Sequence, residues 1–390
     1  MKEKMVRVTI NKEIKQRGGI LLERPDLHEN YISTIENFEA RGQHSCDILV
    51  SQKTTIKEIR FKIIDNNQVG AFATGFQGIY FIGIYKGAIS TLLMLFDRVL
   101  ADSNHLSYLG DISLCTDGLP LIPHIGFNYE HAVDHVPIFY PPKCPIRFHY
   151  ARHLCRLCVD LLTAHELTHI IHGHCDYSFY IYQKSFVADV FEQEDSTKED
   201  LLLRKTLEMD ADSNATEILL SSELDRSLGR NKMPAEYLRW LYERPGMVLM
   251  QHAYISSILF RLFGDDRLTN NSFMRSKYPA PRLRSVISLL RTSRIDQFIT
   301  INEDINFDFD DFGLPIVMQA GYKTMEEIYL SITGEERSDE SIDDAWGTIG
   351  QSQLNILIKY WNSTLKDDLQ SFAHVTLLDY PLFESSSNSK

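Results

Sequence analysis

The chain has 390 residues, 44% of them hydrophobic, which suits one large domain or two with a proper buried core and excludes global disorder. A formal net charge of −13 and a pI near 5.5 argue against nucleic acid or an anionic membrane as the main partner. A peptide substrate stays open, because a cleft can differ from the average surface.

The first residues carry charges with no apolar stretch behind them, so no secretory signal is expected. Residues 1–66 alternate short apolar runs with charge, at 7–10, 46–50 and 59–63. They read as a strand-rich segment with one helix near 28–41. Two runs, 69–75 and 78–85, are rich in aromatic and β-branched residues and bounded by glycines, which predicts strand–turn–strand. This hairpin is either an ordinary core element or the wall of a cleft against which an extended peptide can pair. The uncharged stretch 69–85 is too short and too rich in glycine to span a membrane, which takes about 20 apolar residues. The stretch 246–260 is shorter and includes Gln251 and His252. A soluble, cytoplasmic protein is expected.

Residues 87–100 have helical spacing. Residues 101–149 are irregular and rich in proline and histidine, an insertion over or beside a cleft. Within it, His131 and His135 with Asp134 between them are either solvated loop histidines or a second metal site.

An apolar-periodic run follows from about 150 to 172, and Gly173 ends it as a helix-terminating glycine. It contains His165-Glu166-Leu167-Thr168-His169. A helix turns about 100° per residue, so His169 lies only ~40° around the axis from His165, one turn on. Both imidazoles can reach one metal ion. Glu166 sits ~60° further round, close enough to hold a water on that ion without ligating it. This is the H-E-x-x-H arrangement of a zinc hydrolase. Cys155 and Cys158, in the same helix, are either core thiols or a redox or metal pair. The six cysteines are scattered, not a disulfide scaffold.

Residues 175–195 begin aromatic-rich and extended. Ser196 with Glu199 forms a capping-box pattern that opens a helix to about 224. One or two helices follow in 234–265, and another opens after Tyr278-Pro279. Beyond 296 come acidic and aromatic residues, helical patterns near 322–333 and 340–370, and a serine-rich tail. Asp304, Asn306 and Asp308 match part of a calcium loop. Phe309 and Pro315 stand where that loop needs Gly and Glu, so it is rejected.

A catalytic zinc site has three protein ligands and a water. The pattern HExxHxxGxxH would place its glycine and third histidine at His172 and Cys175, so that class is excluded. His172 and His174 read as rim residues, with ligation by either left open. Glu208, on the following helix, is the candidate third ligand. Asp212 lies four residues on and suits the carboxylate that fixes the tautomer of a zinc-bound histidine. Asp210 reads as part of a solvated face.

Four motifs in order make the chain resemble the gluzincin metallopeptidases, most closely the family of the heat-shock membrane protease HtpX and the CAAX prenyl peptidases. They are Gly70-Ala71-Phe72-Ala73-Thr74-Gly75, the HExxH helix, Glu208-Met209-Asp210-Ala211-Asp212, and Tyr278-Pro279 with Arg284. A more distant similarity is to the phage-exclusion-type bacterial peptidases. Gly70 replaces the family's Asn, Tyr278 replaces its His, and the family's transmembrane helices are absent.

The resemblance implies an α+β fold: a mainly helical zincin-like peptidase domain over 67–295, with a small edge sheet. The 1–66 segment precedes it and a C-terminal accessory helical region, 296–390, with a disordered tail follows. It implies a zinc-dependent endopeptidase holding one Zn²⁺ on His165, His169 and Glu208. Glu166 is then the general base on a zinc-activated water, and Tyr278 an oxyanion donor. Arg284 orients the tyrosine or the groups behind the ligands, and His252 is a weaker candidate donor, a buried structural histidine being the better reading. The peptide would lie on the hairpin, along Phe72, Ala73, Tyr80, Ile82 and Ile84. The alternative is a zinc-loaded sensor or interaction module whose proteolysis is latent or partner-gated.

Overall fold

The structure is a computed structural model and describes residues 2–21, 29–122, 140–182, 197–229, 236–263, 268, 273, 278–291, 314–336 and 342–383. It is an α+β fold, mainly helical, around a three-stranded sheet. The sheet comprises β1 (Glu58–Ile64), β2 (Ala71–Phe76) and β3 (Ile79–Tyr85), in the order β1-β3-β2. β1 runs parallel to β3, and β2 antiparallel to it. The tight turn between β2 and β3 has positive φ at both Gln77 (57°) and Gly78 (82°), the backbone of the hairpin turn that matches strand twist.

Strand side chains alternate between faces. Phe72, Phe76, Ile79, Phe81 and Tyr85 pack with Val6, Ile10 and Ile14 of helix α1 (Lys2–Gln16). Ala73, Tyr80, Ile82 and Ile84 face the main core. That core also takes in helices α2 (Glu29–Gln52), α3 (Lys86–Ala101) and α4 (Pro145–Ile171). α4 starts with proline in its first turn, where the missing N–H costs nothing. It ends at Gly173, φ +80°, where a Cβ would come within 2.6 Å of the Phe372 backbone. Only glycine allows that approach.

The chain continues through α5 (His174–Tyr182), α6 (Lys198–Ser227), the short α7 (Arg239–Tyr242), α8 (Pro245–Leu262) and α9 (Pro281–Ile287). α10 (Leu314–Thr333) packs along α8, and α11 (Thr348–Tyr360) against α6. Residues of 342–380, α6 and α9 form a second core around Trp361, Leu207 and Leu283.

Several expectations are corrected. The runs 7–10 and 46–50 lie in α1 and α2, so only β1 remains as strand in 1–66. Both helices bury one stripe, Val6-Ile10-Ile14 and Ile35-Phe38-Cys46, against the sheet. Short windows of these stripes imitate alternation. The aromatic stretch after Cys175 is helical, not extended. The cap of α6 is Thr197 with Asp200, each bonding the other's backbone N–H, one residue on from the expected pair. The described part of the 101–149 insertion is pinned by Arg147, which is fully buried. Its guanidinium donates to the carbonyls of Leu100, Asp102, His105, Leu106 and Leu109 at 2.6–3.1 Å. His131, His135, the 304–308 segment and the serine-rich tail lie outside the described residues.

Candidate metal centre

Helices α4 and α6 lie against one another, clasped by a buried bond from Asn214 Nδ2 to Thr168 Oγ1, 2.9 Å. Their facing sides carry His165 and His169 on one and Glu208 and Asp212 on the other, each pair one helical turn apart. The Nε2 atoms of the two histidines are 3.1 Å apart. Glu208 places one carboxylate oxygen 3.4 Å from His165 Nε2 and the other 4.0 Å from His169 Nε2. Two donors on a tetrahedral zinc, each at about 2.0–2.1 Å, lie roughly 3.4 Å apart. Two imidazole nitrogens and a carboxylate at these separations could therefore hold such an ion.

Asp212 Oδ1 is 2.9 Å from His165 Nδ1. A carboxylate there keeps the proton on Nδ1 and leaves the Nε2 lone pair facing the other donors. Asp212 is in turn gripped by Arg284, whose Nε and Nη2 each donate to it at 2.7 Å. Arg284 thus acts behind the histidine. It also stacks on Phe260, 4.7 Å from the ring centroid.

Burial would lower the pKa of His165, but hydrogen bonds to Asp212 and Glu208, and their charges, push it up to about 10. Burial would likewise raise Glu208, yet the His165 hydrogen bond and charge hold it well below the usual carboxylate range. Glu166 differs. Its burial, opposed by the charge of His165 and reinforced by that of Glu208, pushes it up to about 7. The Ala73 backbone N–H hydrogen-bonds its carboxylate.

These groups open onto a cavity of about 220 Å³. Of the residues expected at the site, His165, Glu166, His169, Glu208, Asp212, Tyr278, Arg284, Phe72 and Ala73 line it. Tyr80, Ile82 and Ile84 do not, a correction with a topological cause. β3 is the central strand, bonded on both edges, so no peptide can add to it. Ile82 and Ile84 point into the main core, and the Tyr80 hydroxyl bonds Asp176 at 2.5 Å. β2 pairs with a strand on one edge only, among the described residues, and its start borders the cavity. His252 is buried away from the cavity, its pKa lowered to about 4 by burial.

Sequence reasoning missed Arg17 and Arg204, which also line the cavity. Arg204 donates to the Tyr278 hydroxyl and covers its ring at 4.2 Å. Burial raises the pKa of that hydroxyl. Of the two roles expected for Arg284, orienting the tyrosine or the groups behind the ligands, its bonds to Asp212 fit the second, and the hydrogen bond to the tyrosine comes from Arg204. His172, His174 and Asp210 were misplaced as rim or solvated residues. All three are buried beneath the His169 ring. Cys155 and Cys158 are core thiols, and all six cysteines are free.

No helix among the described residues is long and apolar enough to cross a membrane. No protein-family model, curated protein or solved structure matches the chain.

Proposed function

We propose that the protein is a zinc-dependent metallopeptidase of gluzincin type. The observation that carries this reading is the convergence of His165, His169 and Glu208. Their ligand atoms all lie within 4.8 Å of one another, and Glu166 stands beside them in the same cavity. When bound, zinc polarises a carbonyl and lowers the pKa of water toward ~7. Glu166 accepts the proton of the attacking water as the C–O bond forms. It returns that proton to the nitrogen as the C–N bond breaks. Tyr278, steered by Arg204, donates to the carbonyl oxygen as it gains charge. The edge of β2 that pairs with no strand among the described residues, where its start borders the cavity, is the wall along which an extended peptide would lie, in place of β3. The free cysteines and the acidic charge fit a cytoplasmic protein acting on peptides.

The test is metal content together with cleavage of unfolded proteins. Wild type should carry about one zinc per chain. Glu166→Gln should keep the zinc and lose about 10²–10⁴-fold in rate, and Glu208→Ala should lose the zinc. Undiminished cleavage by Glu166→Gln removes the assigned base, and full zinc affinity in Glu208→Ala removes the third ligand. A variant of this reading is a zinc-loaded module whose proteolysis stays latent until a partner opens the cleft. Zinc-loaded protein inert on every unfolded substrate would select that variant.

A further inference from the structure

A second group of potential ligands, His172, His174 and Asp210, lies under the first. Its spacing differs. His172 Nδ1 is 2.5 Å from Asp210 Oδ2, closer than two donors on one zinc sit and within reach of a direct hydrogen bond. The Arg291 guanidinium is 3.2 Å from Asp210 Oδ1 and would oppose a second cation. The Tyr380 hydroxyl donates to the same oxygen at 2.7 Å. The Asp210 carboxylate is thus an anchored acceptor whose partners come from the end of α4, from beyond α9 and from the C-terminal segment.

This anchor reaches the upper site through one imidazole. His169 turns Nε2 toward His165 and Glu208, and its Nδ1 lies 2.8 Å from His174 Nδ1. If Nε2 carries the ligand lone pair, the proton of His169 sits on Nδ1 and must be donated to His174 Nδ1. His174 then carries its own proton on Nε2. That atom is buried, makes no hydrogen bond of standard angle, and lies 3.2 Å from Asp210 Oδ2, whose charge faces it.

We propose that His174 and Asp210 are positioning residues for His169, forming a relay His169–His174–Asp210 secured by Arg291 and by Tyr380 of the C-terminal segment. It does indirectly for His169 what Asp212 does directly for His165. The proposal rests on reading the upper cluster as a metal site.

Zinc affinity of the full chain, measured by competition with a chromogenic chelator, tests it, with metal-free melting curves alongside. His174→Phe removes the acceptor and should weaken zinc binding about 10–100-fold. His174→Gln offers an oxygen toward His169 and an amide toward Asp210, and should restore most of that affinity. Tyr380→Phe removes one donor to Asp210 with little change in packing. It should give a smaller loss of affinity with unchanged metal-free melting, and it carries the test if His174→Phe does not fold. Wild-type affinity in both His174→Phe and Tyr380→Phe overturns the relay. So does an equal loss in the Phe and Gln variants, which marks a purely structural role. Absence of zinc from the wild type overturns the metal-site reading instead, and the relay with it.

Discussion

Two buried aspartates show how single side chains divide the work. Asp212 holds an imidazole and is itself held by Arg284. Asp176 accepts from the Tyr80 hydroxyl at 2.5 Å and the Gln77 N–H at 2.9 Å, with His374 as its cationic neighbour and no arginine bonded to it among the described residues. Burial raises its pKa above the ordinary aspartate value, more than those two hydrogen bonds lower it. A carboxyl whose folded pKa lies above its unfolded one contributes stability below about pH 3.9, and that contribution is lost as pH rises through the folded value. Asp176→Asn removes the charge and keeps an acceptor oxygen for the Gln77 N–H, while its amide NH2 faces the Tyr80 hydroxyl, which can turn to accept. Thermal melting should show the variant more stable than wild type near neutral pH and indistinguishable from it at about pH 3. A destabilised variant at neutral pH would contradict the assignment.

Among the elements, helices α4 and α6 explain both what the sequence revealed and what it concealed. The positions 165, 166 and 169 were legible because the i, i+4 spacing of a helix is fixed whatever surrounds it. Glu208 is the candidate because a zinc-peptidase pattern supplies a glutamate from a second helix, and only the step from it to Asp212 rests on the same spacing. Asp210 was misread because polarity normally marks a solvated face. α6 is buried on all sides from Leu203 to Thr216, and its Asp210, Asp212 and Asn214 are met by partners from α4 and its end, from α9 and from the C-terminal segment. Those partners lie far away in sequence, where no local pattern points to them. The order of the three strands was hidden likewise. A hairpin declares its own pairing, but nothing in 69–85 says that β1 will cover the far edge of β3. The loop after α3 follows the same logic, since its backbone is satisfied by the single side chain of Arg147. Arg147→Met would leave several buried carbonyls without a donor, at a cost of roughly 1–3 kcal/mol each. Urea denaturation should register a loss of at least about 3 kcal/mol, with ordered loop structure lost first in hydrogen exchange.

At the scale of the whole molecule, two cores meet at the candidate metal centre. An ion bound there would tie α4, from the first core, to α6, which contributes to both. Ligand held only by the folded form stabilises it by about 4 kcal/mol at a thousandfold excess over Kd. Chelation should therefore lower the melting temperature of wild type, and added zinc should restore it. Glu208→Ala should respond to neither. A wild-type melt indifferent to chelator would show that the helices need no ion to stay together. The closing contacts come from the C-terminal segment: His374 N–H bonds the Ile171 carbonyl at 2.8 Å, beside Gly173, and Tyr380 reaches Asp210. A ribosome finishes His165, His169, Glu208 and Asp212 well before it reaches Tyr380. At roughly 5–20 residues per second the interval is on the order of ten to thirty seconds. Throughout it, the lower anchor of the site lacks its last donor. The order of translation thus sets an interval: the upper residues are made first, and the Tyr380 hydroxyl reaches Asp210 only after the chain between them has been synthesised.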